Sequence, residues 1–497
     1  MKICLATVHA DPLFTPLALL YLKAYLVEKR ASAAGDLQIL EFTRSDSAEE
    51  IARRVLQTEP GTIGFSCYVW NVKVLLAAAR QIKALRQDVR IVLGGPEVGP
   101  VARFVLDQHP DVDCVVKSEG ERVFADMVAR WRDGGDIATV KGICFRREGL
   151  VFDTGDAPIL HDLDELAPPL RMIEGEMKGR VICIETQRGC VFRCNFCFYN
   201  KDLSIRNRRF NLDRVKAEIL YWLQQDIFQI YLMDPVFNLN AARAKEICRF
   251  VAEHNHRRIP FHTEVWAEFI DDEMAGLMRE ANFDFLEVGL QTTDVKVLAT
   301  AERRLKLARF VEGIGHLKRF GIPFEVQLIY GLPGETRATF RESLNFAAAL
   351  HPPELAVFSL MVLPGTELRR KAEALEIEFD PEPPYYVRSH RSMSAADIAY
   401  GLKVVEAVSR VGAAWTIRLL GREAGVTFAD VIDEWIEWSD RERLGTPEFA
   451  QVSHEQRLRQ FIAYFCALNR IPPTFYEASS SIEARAWTKT RTAAARA

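Results

Sequence analysis

The run Val181-Ile-Cys-Ile-Glu-Thr-Gln187, followed by Arg188-Gly-Cys190-Val-Phe-Arg-Cys194-Asn-Phe-Cys197, decides how the rest of this sequence is read. A segment of strand composition leads straight into a loop holding three cysteines at C-x3-C-x2-C spacing. Three thiolates this close can wrap one cubane iron–sulfur cluster, whereas four would close every iron. The open iron is then available to a chelating amino and carboxylate pair, by the logic that keeps one position free in catalytic metal sites. Two blander readings stand beside this one: a zinc site, or three buried cysteines. Zinc asks for a fourth Cys or His nearby, and the next histidine is His254.

Downstream the strand signal recurs at 227–234, 261–268, 283–292, 324–333 and 355–364, with amphipathic segments such as Leu212–Gln225, Ala241–His256 and Leu305–Phe320 between. Six βα units in series predict a parallel barrel, or an open part of one, over 181–380, with its chemistry at the strands' C-terminal ends. Upstream, strand runs at 2–8, 37–43, 62–70, 90–96 and 113–119 alternate with helical patterns. That alternation predicts a doubly wound parallel sheet over 1–145, with ligands expected at its carboxyl edge. Residues 146–180 have turn chemistry and read as a linker, and 381–497 reads as a helical region. The fold class is therefore α/β, a Rossmann-like sheet followed by a partial (β/α)6 barrel and C-terminal helices. Trp415, Trp435, Trp438 and Phe461 in the last region read as core rather than as a substrate cage.

Apolar residues make up 48% of the chain, which argues for large cores. The 64 basic and 68 acidic residues nearly cancel, giving −4 with no like-charge block, so a nucleic-acid surface built on bulk charge is not expected. The N-terminus lacks the pattern of a secretory signal, and no apolar run is long enough to span a bilayer. A cytoplasmic protein without a membrane partner is expected. In that compartment the other seven of its ten cysteines read as small core residues.

The cysteine loop after the first strand of a six-unit parallel domain resembles the radical S-adenosylmethionine (SAM) superfamily. That resemblance implies a [4Fe-4S] cluster on Cys190, Cys194 and Cys197 and a SAM site made by further matching segments. Phe196 matches the adenine-contacting aromatic, Met233-Asp234-Pro235 stands in place of the Gly-Gly-Glu motif that holds the methionyl amino group, and Glu287 to Gln291 resembles the ribose-contacting strand. Gln327-Leu-Ile329-Tyr-Gly331-Leu-Pro-Gly334-Glu335 resembles the fifth-strand adenine motif, although Gln327 replaces its first glycine. Taken alone, Gly331 to Gly334 is also a tight βα turn. Glu264, near the end of the third strand, is the candidate catalytic or substrate-contacting carboxylate, with a barrel salt bridge as its ordinary reading.

The N-terminal half resembles the cobalamin-binding domain of one branch of that superfamily, on four segments. These are Pro16 to Leu22, Ser66-Cys-Tyr68-Val-Trp70-Asn71, Gly94-Gly95-Pro96-Glu97 and Glu119-Gly120-Glu121. Of these, Ser66, Tyr68, Trp70, Asn71, Gly94, Gly95, Pro96, Glu97, Glu119 and Gly120 are the implied cobalamin contacts. The Asp-x-His-x-x-Gly cobalt-ligand motif of other cobalamin domains is absent, and His9, at the mouth of the first strand, is a weak substitute. The resemblance implies methylation of an unactivated carbon through a 5′-deoxyadenosyl radical and methylcobalamin. A radical cyclisation, ring contraction or rearrangement is the second reading, and a cobalamin- or redox-sensing protein the third. Implied partners are a small-molecule substrate, with a peptide as the alternative, and an electron donor such as flavodoxin or ferredoxin.

Overall fold

The computed structural model describes residues 1–172, 177–200, 207–412, 415–442 and 453–472. Its N-terminal unit runs β1 (Ile3–Val8), α1 (Leu17–Glu28), β2 (Leu37–Phe42), α2 (Ala48–Gln57), β3 (Thr62–Ser66), α3 (Val72–Leu85), β4 (Arg90–Gly94), α4 (Ala102–Gln108), β5 (Cys114–Val116) and α5 (Gly120–Arg132). Every residue of β1 is buried, as expected for a parallel strand covered by helices on both faces. The strand order is β2-β1-β3-β4-β5, parallel throughout, so the chain reverses its direction of travel between β1 and β3. The crevice outside the carboxyl ends at such a switch point is where open α/β sheets bind ligands.

The sheet goes further than its sequence pattern suggests. Two antiparallel strands, β6 (Ile143–Arg147) and β7 (Leu150–Asp153), extend it past β5. The purely parallel expectation is thus corrected to a mixed sheet, and the segment expected to begin the linker at 146 is instead its edge hairpin. The turn residues Glu148 and Gly149, both at positive φ, close that hairpin. They were legible as a turn but not as one joining two sheet strands.

The second unit starts with β8 (Val181–Ile184), then a two-residue pair β9 (Gln187–Arg188) and β10 (Arg208–Arg209), then α6 (Leu212–Leu223). It continues through β11 (Gln229–Leu232), α7 (Ala241–His254), β12 (Phe261–Val265), α8 (Asp272–Glu280), β13 (Phe283–Gln291), α9 (Val295–Thr300), α10 (Leu307–Arg319), β14 (Phe324–Tyr330), α11 (Arg337–Ala349) and β15 (Glu354–Ser359). The six main strands are parallel in the order β15-β14-β13-β12-β11-β8, an open barrel. Along β14 burial alternates strictly, the apolar set packing under the helices and Glu325, Gln327 and Ile329 remaining half-buried on the lumen side.

The β8 edge is not left bare. Val181 donates its N–H to Leu13 O at 2.8 Å and accepts from Thr15 at 3.1 Å, while Thr15 Oγ1 accepts from Cys183 N–H at 3.1 Å. The β1–α1 loop therefore continues the barrel by one bridge, at Phe14, and fixes the first unit to the second. Arg180 tightens this seam by bonding Phe14 O and Glu41. C-terminal helices α12 (Ala395–Val411), α13 (Trp415–Ala424), α14 (Phe428–Arg441) and α15 (His454–Leu468) follow the barrel. Trp435, Trp438 and Phe461 are buried against one another there, as core; the side chain of Trp415 lies outside the described residues.

Candidate active site at the barrel mouth

Cys190, Cys194 and Cys197 sit in the loop after β8 and β9, with Cys194 buried and the other two half-buried. The loop is held from below. Asn195 donates its backbone N–H to Ala301 O at 3.0 Å and its side-chain amide to Thr300 O at 2.7 Å, and its own carbonyl accepts from Leu368 N–H. Burial raises the Cys190 thiol and pushes Cys197 up to about 12, and the neighbouring thiols and Glu264 add to both. The three sulfurs are thus near enough to feel one another's charge. Among the described residues, however, no three His, Cys, Asp or Glu side chains converge on a single ion. Three thiols with no fourth Cys or His beside them in the loop are the donor set of a cluster with one iron left open, whereas a closed zinc site takes four ligands.

A residue with no signal in the motif reading sits beside the triplet. Arg303 donates from Nη1 to Cys194 Sγ at 3.6 Å and lies 4.5 Å over the Trp266 ring. It also bonds the Gly289 carbonyl on β13. It comes after α9, far from the cysteines in sequence, and only the barrel topology brings it back.

The expected SAM-site residues divide into two sets. Met233 faces the cavity described below. Ile329 and Glu264 are half-buried on the barrel's inner strands, and Phe196 is half-buried against the main core. Gln291 takes a positive φ of 71° at a bulge, folds over Gly289, and keeps a buried Oε1 without a hydrogen-bond partner. Gly331, at φ 90°, donates its N–H to Glu335 at 2.9 Å. Asp234 departs from expectation. Its carboxylate, 1% exposed, accepts from the Thr186 and Gln187 backbone at 2.8 and 3.2 Å and from the Thr186 hydroxyl. Those bonds clip β11 to the start of the cysteine loop, although burial still pushes Asp234 up to about 7. Glu287 is likewise engaged, by His262, Gln327 and Tyr231. Glu264, by contrast, has no hydrogen bond among the described residues. Burial, and then the Glu287 charge, push it up to about 8. A half-buried carboxyl without a hydrogen-bond partner on the lumen side is open to a cationic or hydrogen-bonding group.

A cavity of about 1030 Å3 lies between the switch-point edge of the first sheet and the cysteine loop. Ser66, Tyr68, Gly94, Gly95, Pro96, Glu119 and Gly120 line it from the first unit, and Glu185, Arg188, Gly189 and Pro235 from the second. Trp70, Asn71 and Glu97, expected as contacts, are not on its wall. Asn71 spends its amide on Val8 O and Ser66 O, both at 3.1 Å, and accepts from Tyr68 N–H at 2.7 Å, which staples β1 to the end of β3. Trp70 stacks behind Tyr68 at 4.4 Å. Glu97, 4% exposed, accepts from the Tyr385 hydroxyl across the unit boundary. His9 is bound to Glu41 at 2.7 Å and is also off the cavity wall.

Gly95 is needed where it stands. At φ 111° a side chain there would bring Cβ to 2.5 Å from the Cys67 carbonyl, which is backbone and cannot yield cheaply. The strained conformation alone costs roughly 1–3 kcal/mol. Gly95→Ala is expected to lower the melting temperature and to lose cobalt on gel filtration, read as cobalt per chain. Retention equal to the parent would show that this wall does not shape the cavity.

An open parallel barrel with three cluster-fitting thiols at its mouth, facing the switch-point crevice of a second α/β unit, defines a radical enzyme with two cofactor compartments. The comparisons agree. A model of the radical SAM superfamily matches residues 184–347 and one of the B12 binding domain matches residues 2–128, together more than half the chain. An uncharacterized methyltransferase, PH0819 of Pyrococcus horikoshii, is 24% identical over 71% of this chain and 77% of its own length. The cobalamin-dependent radical SAM methyltransferase TokK of Streptomyces tokunonensis is 27% identical over 76% of this chain. The match spans 58% of TokK. Other matched relatives include the anaerobic magnesium-protoporphyrin IX monomethyl ester cyclase of Rubrivivax gelatinosus. The structure of the methyltransferase TsrM from Kitasatospora setae, with cobalamin and a [4Fe-4S] cluster bound, shares the fold at TM-score 0.64 and 18% identity, covering 77% of this chain and 78% of TsrM. The chain carries a radical SAM domain behind an N-terminal B12 binding domain, and it is a radical SAM enzyme whose cofactors are a [4Fe-4S] cluster, SAM and cobalamin. Among the described residues no helix is long and apolar enough to cross a membrane.

Proposed function

We propose that this enzyme methylates an unactivated carbon of a small molecule. The observation that carries the reading is that one cavity is walled both by the B12-domain loops and by the residues leading into the cysteine loop. The cofactors supply reductive SAM cleavage, hydrogen abstraction and methyl donation. The chain supplies placement. Backbone at Gly94 and Gly95 allows a flat ring close approach, and Tyr68 backed by Trp70 offers it an aromatic wall. Asp234 fixes the path of the cysteine loop, and Glu264 is the carboxyl free to meet an ammonium or hydroxyl group in the lumen. Cys190, Cys194 and Cys197 would hold the cluster, and Met233, Ile329 and Gly331 would contact SAM.

A second reading, radical cyclisation without methyl transfer, is favoured by the magnesium-protoporphyrin cyclases among the relatives. The test is to prepare the protein anaerobically with cobalamin and a reconstituted cluster, then to incubate it with candidate small molecules and labelled SAM. A product heavier by one labelled methyl, formed with one 5′-deoxyadenosine and one S-adenosylhomocysteine, supports methyl transfer. Turnover that yields 5′-deoxyadenosine with an unmethylated, rearranged product replaces it with the second reading.

A further inference from the structure

The chain between β15 and the C-terminal helices leaves the barrel and comes back to where it left. Val387 donates its N–H to Leu360 O at 3.2 Å, Val362 donates to Tyr385 O at 2.9 Å, and Met361 bridges Tyr386. Residues 363–384 are therefore an excursion with its two ends pinned together. A short helix within it, Glu367–Lys371, donates the Leu368 N–H to Asn195 O at 2.8 Å, directly after Cys194. Lys371 bonds Glu302 at 2.7 Å, next to Arg303. Gly365 faces the other way. It stands at φ 79°, and a Cβ there would come within 2.7 Å of the Pro100 ring and 3.5 Å of Phe198, the residue after Cys197.

Tyr385 anchors the far end of the excursion. It is 8% exposed, its hydroxyl donates to Glu97, and the Arg369 guanidinium lies 4.7 Å over its ring. Its φ of 59° is a left-handed conformation that a bulky residue seldom takes, and it persists only where the surroundings impose it. Glu97 belongs to the loop that walls the cavity through Gly95, Pro96 and Pro100, and Gly365 and Arg370 are on the same wall. The excursion thus touches three things at once: the cavity, the loop of the first unit that encloses it, and the loop that carries the cysteines.

We propose that the 363–385 excursion couples the two cofactor compartments, with Tyr385 as its positioning residue, so that filling the cobalamin cavity sets the cysteine loop for SAM. A ligand shifts an equilibrium only through contacts that differ between the states. Here the segment that would meet cobalamin at Gly365 and Arg370 is the one that bonds Asn195 and packs on Phe198. With the cavity filled, Gly365 and the Glu97 loop lose freedom, and the cysteine loop loses it with them. By linkage, SAM raises the affinity for cobalamin by the same factor. The inference rests on the cofactors of the class and holds for methyl transfer and for cyclisation alike.

The test uses the full chain with its cluster reconstituted, prepared with and without cobalamin. SAM affinity is measured in both forms by anaerobic equilibrium dialysis of labelled SAM, and amide hydrogen exchange is followed over residues 190–198. Cobalamin is expected to tighten SAM binding by about fivefold or more in the parent and to slow exchange in the cysteine loop. Tyr385→Phe keeps the ring under Arg369 and removes only the hydroxyl on Glu97, so the cobalamin effect should fall towards one. Glu97→Gln, whose amide oxygen still accepts from Tyr385, should keep it. Gly365→Ala, which pushes the turn off Pro100 at a separate point, should also lose it. Equal iron per chain in all forms excludes a damaged cluster, and a purely structural loss would move both SAM affinities together and leave their ratio unchanged. A ratio equal to the parent's in both Tyr385→Phe and Gly365→Ala, or a parent whose SAM affinity ignores cobalamin, overturns the proposal.

Discussion

Cys194→Ala yields a folded protein that holds no stable cluster and no longer cleaves SAM. Cys194 is the most enclosed of the three thiols, at 6% exposure, and the one that Arg303 touches. Removing an outer-shell partner costs roughly 10–100-fold in metal affinity, so loss of a ligand exceeds that, and a cube with two protein ligands has two irons open to water. The fold should survive. The loop is held by Asn195 through Ala301, Thr300 and Leu368, and none of those bonds involves a cysteine side chain. Truncating the buried thiol costs about 1 kcal/mol, in the range of small core deletions. The measurements are iron per chain after reconstitution, the visible absorbance of the cluster, and 5′-deoxyadenosine released under dithionite. Four irons and undiminished 5′-deoxyadenosine in Cys194→Ala would remove the triplet from the cluster site.

Arg303 shows why part of this site was legible in the sequence and part was not. The cysteine spacing is local, eight residues whose chemistry needs no fold to be recognised. The strand runs were equally local: β1 to β5 and five of the six main barrel strands fall within the segments their apolar patterns mark out, and β15 begins one residue ahead of its segment. Contacts that depend on where a loop returns carry no such mark. Arg303 reaches Cys194 because the turn after α9 folds back over the mouth onto the loop that follows β8, where Asn195 bonds Ala301 and Thr300. Asp234, Asn71 and Glu97 were placed at the right strand ends, yet each is consumed by the scaffold. A short polar side chain at a strand's carboxyl end can bond the neighbouring loop's backbone as readily as a ligand. Sequence position specifies the end of the strand and not which of the two it meets. The β6–β7 hairpin was missed for a related reason: its strand β7 is largely exposed and carries little apolar alternation to read.

Arg188→Met should be the most destabilising single exchange near the site, and the size of the effect should depend on pH. Arg188 sits on the cavity wall two residues before Cys190, with its side chain 12% exposed. It bonds Glu121 at 2.7 Å and Glu185 at 2.9 Å, comes within 3.7 Å of Glu119, and lies 4.9 Å over the Tyr21 ring. It therefore joins α1 and α5 of the first unit to the cysteine loop of the second. Removing one partner of a buried ionic network leaves the other charges uncompensated, at a cost of about 3–5 kcal/mol. Glu185 is already raised above the ordinary carboxylate range, chiefly by burial and against the pull of Arg188, so without the arginine it rises further. A carboxyl raised in the folded state contributes stability below its unfolded value and loses it as pH rises through the folded value. The gap between parent and variant should thus be smallest in acid, where Glu185 is protonated in both proteins, and widen as pH rises through its raised folded value towards neutrality and above. Denaturant unfolding of both proteins across that range measures it. A gap independent of pH would mean that the arginine acts through packing on Tyr21 alone, and that the seam between the two units is not held by charge.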